Sequence, residues 1–137
     1  MAKNSSSDGK KWRRATRLVR GGTTRSGHGE TSEAIFLTSG YVYDGAAEAE
    51  ARFKGEAPGF VYSRFGNPTV AMFEQRLALL EGAEACKATS TGMAAVFAAL
   101  MAQLRAGDHV VASRALFGSF LYIVGELLPR YGIEVTL

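Results

Sequence analysis

The 137-residue sequence holds a single cysteine, two histidines, three prolines and one tryptophan. One thiol, Cys86, can form no internal disulfide, which suits a reducing compartment. It is expected in a buried strand as a small core thiol. His28 and His109 lie far apart with no ligand pattern near either, so no metal site is predicted and both read as structural or solvated. Long apolar runs are missing as well. The longest, Gly92 to Ala102, falls short of the roughly 20 residues that cross a bilayer and reads as a buried helix. The N-terminus has no apolar run of the signal-peptide kind. These absences predict a soluble, cytoplasmic protein with no membrane partner. Acid is scarce at one end. Residues 1–25 carry eight of the sixteen Lys and Arg but only one acid, Asp8, and the remainder has a net charge of −4. The pI of 9.2 therefore reports a basic arm and not a basic body. With Trp12 as its only aromatic, that arm lacks the pattern of a nucleic-acid-binding face.

What is present is ordinary for a globular chain: 47% apolar and 21% charged residues, in a length that supports one domain with a core. Residues 1–10 are too polar to order themselves. A short basic helix is expected over 12–20, ending at Gly21-Gly22, and residues 21–32 read as an extended arm. Residues 34–37 and 41–43 look extended without clearly joining a sheet. Asp44 is a plausible N-cap for a helix over Ala46–Phe53, which Gly55 would end. Asn67 can cap, Pro68 fits a first helical position, and Val70, Phe73, Leu77 and Leu80 make one stripe of a helix that stops at Gly82. From Glu84 the pattern is β-α-β-α-β. Strands are expected at Ala85–Thr89, His109–Ser113 and Ile133–Leu137, with helices over Thr91–Arg105 and Ser119–Tyr131. Such an order implies parallel strands. The first of these helices has no charge from Thr91 to Gln103 and should be covered on most sides. Pro129 would crowd the carbonyl of Gly125, where the missing side chain lowers the clash.

Two stretches carry chemistry. At Ala88-Thr89-Ser90-Thr91-Gly92-Met93-Ala94-Ala95 a strand runs through a small-residue turn into a helix. The amides of Thr91, Gly92 and Met93 would have no intrahelical partner and could seat a phosphate. Gly92 would let an anion approach the backbone. The alternative is a helix start that binds nothing. At Phe60–Thr69, an extended chain would place Tyr62 and Arg64 on one side, a neutral and a forked cationic donor suited to phosphate. The alternative is a surface arginine beside a half-buried tyrosine.

Tyr62-Ser63-Arg64-Phe65-Gly66-Asn67-Pro68-Thr69 resembles the YxRxxNPT signature of the pyridoxal-phosphate (PLP) enzymes of cysteine and methionine metabolism, the cystathionine γ-synthase group. Leu79-Leu80-Glu81-Gly82, Thr91-Gly92-Met93-Ala94-Ala95, Gly107-Asp108 and Leu116-Phe117-Gly118-Ser119 follow in the family's order, and the resemblance runs from about Arg17 to Leu137. It implies an α/β chain: the front part of the fold type I (aspartate aminotransferase-like) PLP-transferase fold, with an extended N-terminal arm and then the start of a mostly parallel sheet with flanking helices. Residues 1–11 would be a disordered basic tail. Residues 12–66 would be an arm for subunit contacts and for touching a neighbour's phosphate. Residues 67–137 would begin a large PLP-binding domain that the chain does not complete.

The resemblance also implies roles. Gly92 and Met93 would bind the PLP phosphate through backbone N–H groups, with help from Thr91. Phe117 would stack on the pyridine ring, where many relatives carry Tyr; without the resemblance it reads as a core aromatic. Tyr62 and Arg64 would reach the phosphate held by a neighbouring subunit, in a homotetramer built as a dimer of dimers. Glu33–Tyr43 and Leu116–Ser119 resemble most the branch that exchanges the succinate of O-succinylhomoserine for sulfide. Cystathionine γ-synthase, cystathionine lyases and methionine γ-lyase share the phosphate residues and stay open as alternatives. The family's Schiff-base lysine and its aspartate at the pyridine nitrogen match nothing in this chain, so no catalytic residue is assigned here. Lys87 reads as an edge or partner-facing charge. The expectation is a fragment, truncated product or split piece without turnover of its own.

Overall fold

The helix Pro68–Glu81 starts and stops where its local chemistry dictates. The computed structural model describes residues 11–137; the basic tail expected over 1–11 lies outside them except for Lys11. Backbone contacts gather into two units that divide between Ala88 and Thr89. The first contains α1 (Arg14–Arg20), α2 (Ala46–Phe53) and α3 (Pro68–Glu81). Asn67 caps α3 by accepting the Thr69 N–H at 2.8 Å, Pro68 fills the first turn, and Gly82 ends the helix at φ 68°.

The stripe expected on α3 is not its buried side. Val70 and Phe73 are exposed, while Met72 and Ala78 are buried. The cause is α1, which packs on α3 through Gly21 and Gly22 at its C-terminal end. Gly22, at φ 71°, lies so close that a Cβ there would stand 2.9 Å from the Met72 carbonyl oxygen and the Arg76 nitrogen. Arg76 donates from Nε to the Gly21 carbonyl at 2.8 Å, from Nη2 to Thr23 Oγ1 at 3.1 Å, and also pairs with Glu33. Periodicity finds an apolar stripe but does not say which neighbour will cover it.

Three other local expectations shift. The basic helix begins at Arg14, not at residue 12. α2 has the expected bounds, yet its N-cap is Gly45; Asp44 contributes a backbone N–H to Glu48 Oε2 at 2.7 Å. Residues 85–89 form no strand, and Cys86 is half-buried instead of sitting in a core strand. A strand exists only where a neighbour satisfies its ladder. Here the Ala88 N–H donates to the Glu74 carboxylate at 2.9 Å. Residues 34–37 and 41–43 lie outside any sheet, and one antiparallel bridge joins Gly40 to Tyr62.

The second unit contains α4 (Gly92–Met101), β1 (His109–Val111), α5 (Gly118–Tyr122), a π-helical turn (Ile123–Leu127), α6 (Leu128–Arg130) and β2 (Glu134–Thr136). β1 and β2 pair in parallel, Val110 opposite Val135, so two of the three expected strands are present among the described residues. Ile123, Val124, Leu128 and Ile133 form the core, and Met93, Val96, Phe97 and Leu100 of α4 pack against it. The uncharged helix is covered on that face, while Ala95, Ala98 and Ala99 are exposed. Small side chains make such exposure tolerable. The helix expected over 119–131 is interrupted. Pro129 offers no N–H to the Gly125 carbonyl, and its ring crowds that carbonyl in an α register. The wider π turn, and not the absence of a side chain at Gly125, accommodates it. No helix among the described residues is long and apolar enough to cross a membrane.

Candidate phosphate site

α4 begins at Gly92 with Thr91 as its N-cap, one residue later than expected. Thr91 is extended (φ −151°, ψ 158°), and its Oγ1 accepts the Ala94 N–H at 3.0 Å. Helical geometry leaves the Gly92 and Met93 amides without an intrahelical acceptor. A Cβ at Gly92 would meet nothing within 4 Å, so the approach to these amides is open. Met93 turns its side chain into the core, which anchors the turn from below. Two convergent N–H groups at the positive end of a helix, with room in front, fit an anion that carries several acceptor oxygens.

Phe117 lies in the same unit, at the N-cap of α5, and α5 packs beside α4. Its ring meets Phe120 edge-on at 5.8 Å and is otherwise 70% exposed. Phe117 is therefore not a core residue. It presents a free aromatic face, as a stacking role requires.

Tyr62 and Arg64 belong to the first unit. They do come together, but not by strand alternation. Residues 62–66 form a turn in which the Tyr62 carbonyl accepts from the Phe65 and Gly66 amides at 2.9 and 3.1 Å. The turn folds Arg64 back, 5.4 Å from the Tyr62 ring centre and 5.0 Å from that of Phe65. Two ring faces thus hold a permanently charged guanidinium whose donors remain exposed. Beside them lies a cleft of about 410 Å³, lined in part by Phe60, Arg64, Asn67, Glu74 and Lys87. Lys87 is exposed and pairs with Glu74 at 3.4 Å.

The sequence singles out Tyr62 and Arg64 but not the residues that hold their turn in place. Asn67 is 8% exposed and does more than cap α3. Its Nδ2 donates to the Phe36 carbonyl and to Ser63 Oγ, both at 3.0 Å. Ser63 donates its N–H to the Ser39 carbonyl at 2.9 Å and its hydroxyl to the Thr38 carbonyl. The Phe36 N–H donates to Thr69 Oγ1 at 2.9 Å. The available signal was the clustering of short polar side chains at 63, 67 and 69, in a stretch whose turn leaves backbone groups to be satisfied. His109 Nε2 lies 2.8 Å from Thr136 Oγ1 across the β1–β2 pair, and no cluster among the described residues could hold a metal.

Comparison with known proteins bears on what these features serve. The chain is 59% identical over 122 residues to O-succinylhomoserine sulfhydrylase of Mycobacterium tuberculosis, and 51% identical over 120 residues to that of Pseudomonas aeruginosa. The matches cover 89% and 88% of this chain but 30% of each relative. Its fold superposes with a TM-score of 0.84 on a Campylobacter jejuni putative O-acetylhomoserine (thiol)-lyase, solved with N'-pyridoxyl-lysine-5'-monophosphate. That likeness has 31% identity and covers 90% of this chain and 31% of the other. The α/β architecture is thus part of the fold type I PLP-enzyme fold. With residues 15–137 matched by its family model, the chain belongs to the Cys/Met metabolism PLP-dependent enzymes.

Proposed function

We propose that the whole protein is a sulfhydrylase of methionine biosynthesis: it replaces the succinate of O-succinylhomoserine with sulfide, giving homocysteine. The carbon–oxygen bond at Cγ breaks, a carbon–sulfur bond forms, and succinate leaves. The observation that carries this reading is the 59% and 51% identity to two O-succinylhomoserine sulfhydrylases, spread over nearly all of the chain. When bound, PLP supplies an electron sink for carbanions of the substrate. This chain's part is binding. The Gly92 and Met93 amides hold the phosphate, Thr91 Oγ1 keeps their helix start in place, and Phe117 packs on the cofactor ring. Tyr62 and Arg64 donate to the phosphate held by a second protomer, so each site is shared across a homodimer, two of which pair into a tetramer. Residues 12–66 act as the arm that makes the subunit contact, and residues 67–137 begin the cofactor domain. The protein works in the cytoplasm. None of the five lysines is assigned to the covalent link with the cofactor, so the 137 residues alone should turn nothing over.

The test uses the protein expressed from its complete gene, incubated with PLP, O-succinylhomoserine and sulfide. Equal amounts of succinate and homocysteine are expected, and none from the 137-residue chain. Homocysteine formed from cystathionine, with O-succinylhomoserine and sulfide untouched, would move the protein to a lyase branch of the family.

A further inference from the structure

We propose that Asn67 is a positioning residue for the phosphate contact of Tyr62 and Arg64, acting through Ser63. The inference rests on the phosphate role given above to those two donors. Ser63 stands between them in sequence. Its N–H and its hydroxyl are tied down: the N–H donates to the Ser39 carbonyl at 2.9 Å, and the hydroxyl donates to the Thr38 carbonyl while accepting from Asn67 Nδ2 at 3.0 Å. Tyr41 brings its hydroxyl within 3.3 Å of the same oxygen. Asn67 closes the circuit, because its second amide hydrogen goes to the Phe36 carbonyl and its Oδ1 caps α3. One buried side chain therefore links three pieces of chain: the extended arm at 36–39, the turn at 62–66 and the first turn of α3. The turn hydrogen bonds at Phe65 and Gly66 set its shape but not its placement relative to the arm. Placement comes from Ser63, which ties the turn to the arm at Thr38 and Ser39, and from Asn67, which ties Ser63 and the arm at Phe36 to the start of α3. A shared site demands it, since an arginine that must meet a phosphate on another protomer cannot be guided by that protomer's own backbone. Pre-organisation of this kind raises affinity by lowering the ordering cost of the donor.

The cap and the link separate cleanly by substitution. Asn67→Asp and Asn67→Ser both keep an oxygen that can cap α3, and both lose the two amide donors. Ser63→Ala cuts the other end of the link. The readout, on the protein expressed from its complete gene, is the ratio of its dissociation constants for pyridoxal and for PLP, which isolates the phosphate, with a thermal melt taken on each variant. Arg64→Ala should collapse the ratio. Asn67→Asp, Asn67→Ser and Ser63→Ala should each lower it about tenfold, the ordinary scale for weakening a charge-assisted contact, with pyridoxal affinity unmoved. If PLP and pyridoxal weaken together, Asn67 is merely structural and the inference is wrong. If Arg64→Ala lowers the ratio and the other three variants leave it unchanged, the inference fails while the phosphate role of Arg64 stands. An unchanged ratio in Arg64→Ala itself overturns both. Should Asn67→Asp not fold, Asn67→Ser and Ser63→Ala decide the question.

Discussion

Hydrogen bonds are the main reason that the Glu30 carboxyl stays ionised deep into acid. Ser26 gives it two donors, the backbone N–H to Oε1 and the hydroxyl to Oε2, both at 2.7 Å. Those bonds, the backbone one first, pull its pKa from 4.5 down to about 2. They favour the charged form, so the linkage has one sign: the closed Ser26–Glu30 loop is fully favoured above about pH 4.5 and loses that support as pH falls through about 2. A carbon-detected titration of the Glu30 carboxyl should show a midpoint near 2. A midpoint near 4.5 would mean that the loop is open in solution. Arg64 shows a different economy at the same scale. Its charge is set against two aromatic rings, with no carboxylate paired to it among the described residues, and its forked donors are exposed and open to an anion.

At the scale of elements, the second unit depends on a few side chains. Leu128 is fully buried beside Ile123, Val124 and Ile133, on the short helix that follows the π turn. Leu128→Ala should cost about 2–5 kcal/mol, the usual range for a buried leucine truncated to alanine, measured by urea unfolding. A loss below about 1 kcal/mol would mean that the core closes over the cavity. Such elements were legible in the sequence to the extent that their causes are local. Asn67, Pro68 and Gly82 delimit α3 as read, because caps and left-handed stops act within a few residues. The failures have non-local causes. The strand at 85–89 needed a partner that the described residues do not supply. The buried side of α3 was decided by α1, some 50 residues away. The break at Ile123–Leu127 required weighing Pro129 against a whole turn, not against one carbonyl. The candidate site divides in the same way. The helix start at Thr91–Met93, the Tyr62–Arg64 pair and the exposed aromatic at 117 could be found from residue types. The Ser63–Asn67–Thr69 clamp could not, because its partners at 36–39 lie some 25 to 33 residues away in sequence.

At the scale of the molecule, the two halves of the proposed phosphate site lie on different compact units, the amides of Gly92 and Met93 on one and the Tyr62–Arg64 pair on the other. If the halves that meet belong to different protomers, loss of one half in one chain can be made good by the other chain. Arg64→Ala removes the reaching donor. Gly92→Leu fills the space in front of the amides, and because a Cβ there meets no atom within 4 Å the fold should tolerate it. Each variant alone should bind PLP with little preference over pyridoxal. Mixed in equal amounts and allowed to exchange subunits, they form hybrids in which one site pairs an intact Gly92 with an intact Arg64 and the other has neither. Random pairing makes half the dimers hybrid, so about a quarter of all sites should recover phosphate-dependent binding, as follows from two-fold symmetry. Binding stoichiometry in a PLP titration reads this directly. No recovery after demonstrated exchange would place both halves of the site on one chain, and the subunit-sharing part of the proposal would then be abandoned while the assignment of the individual donors survived.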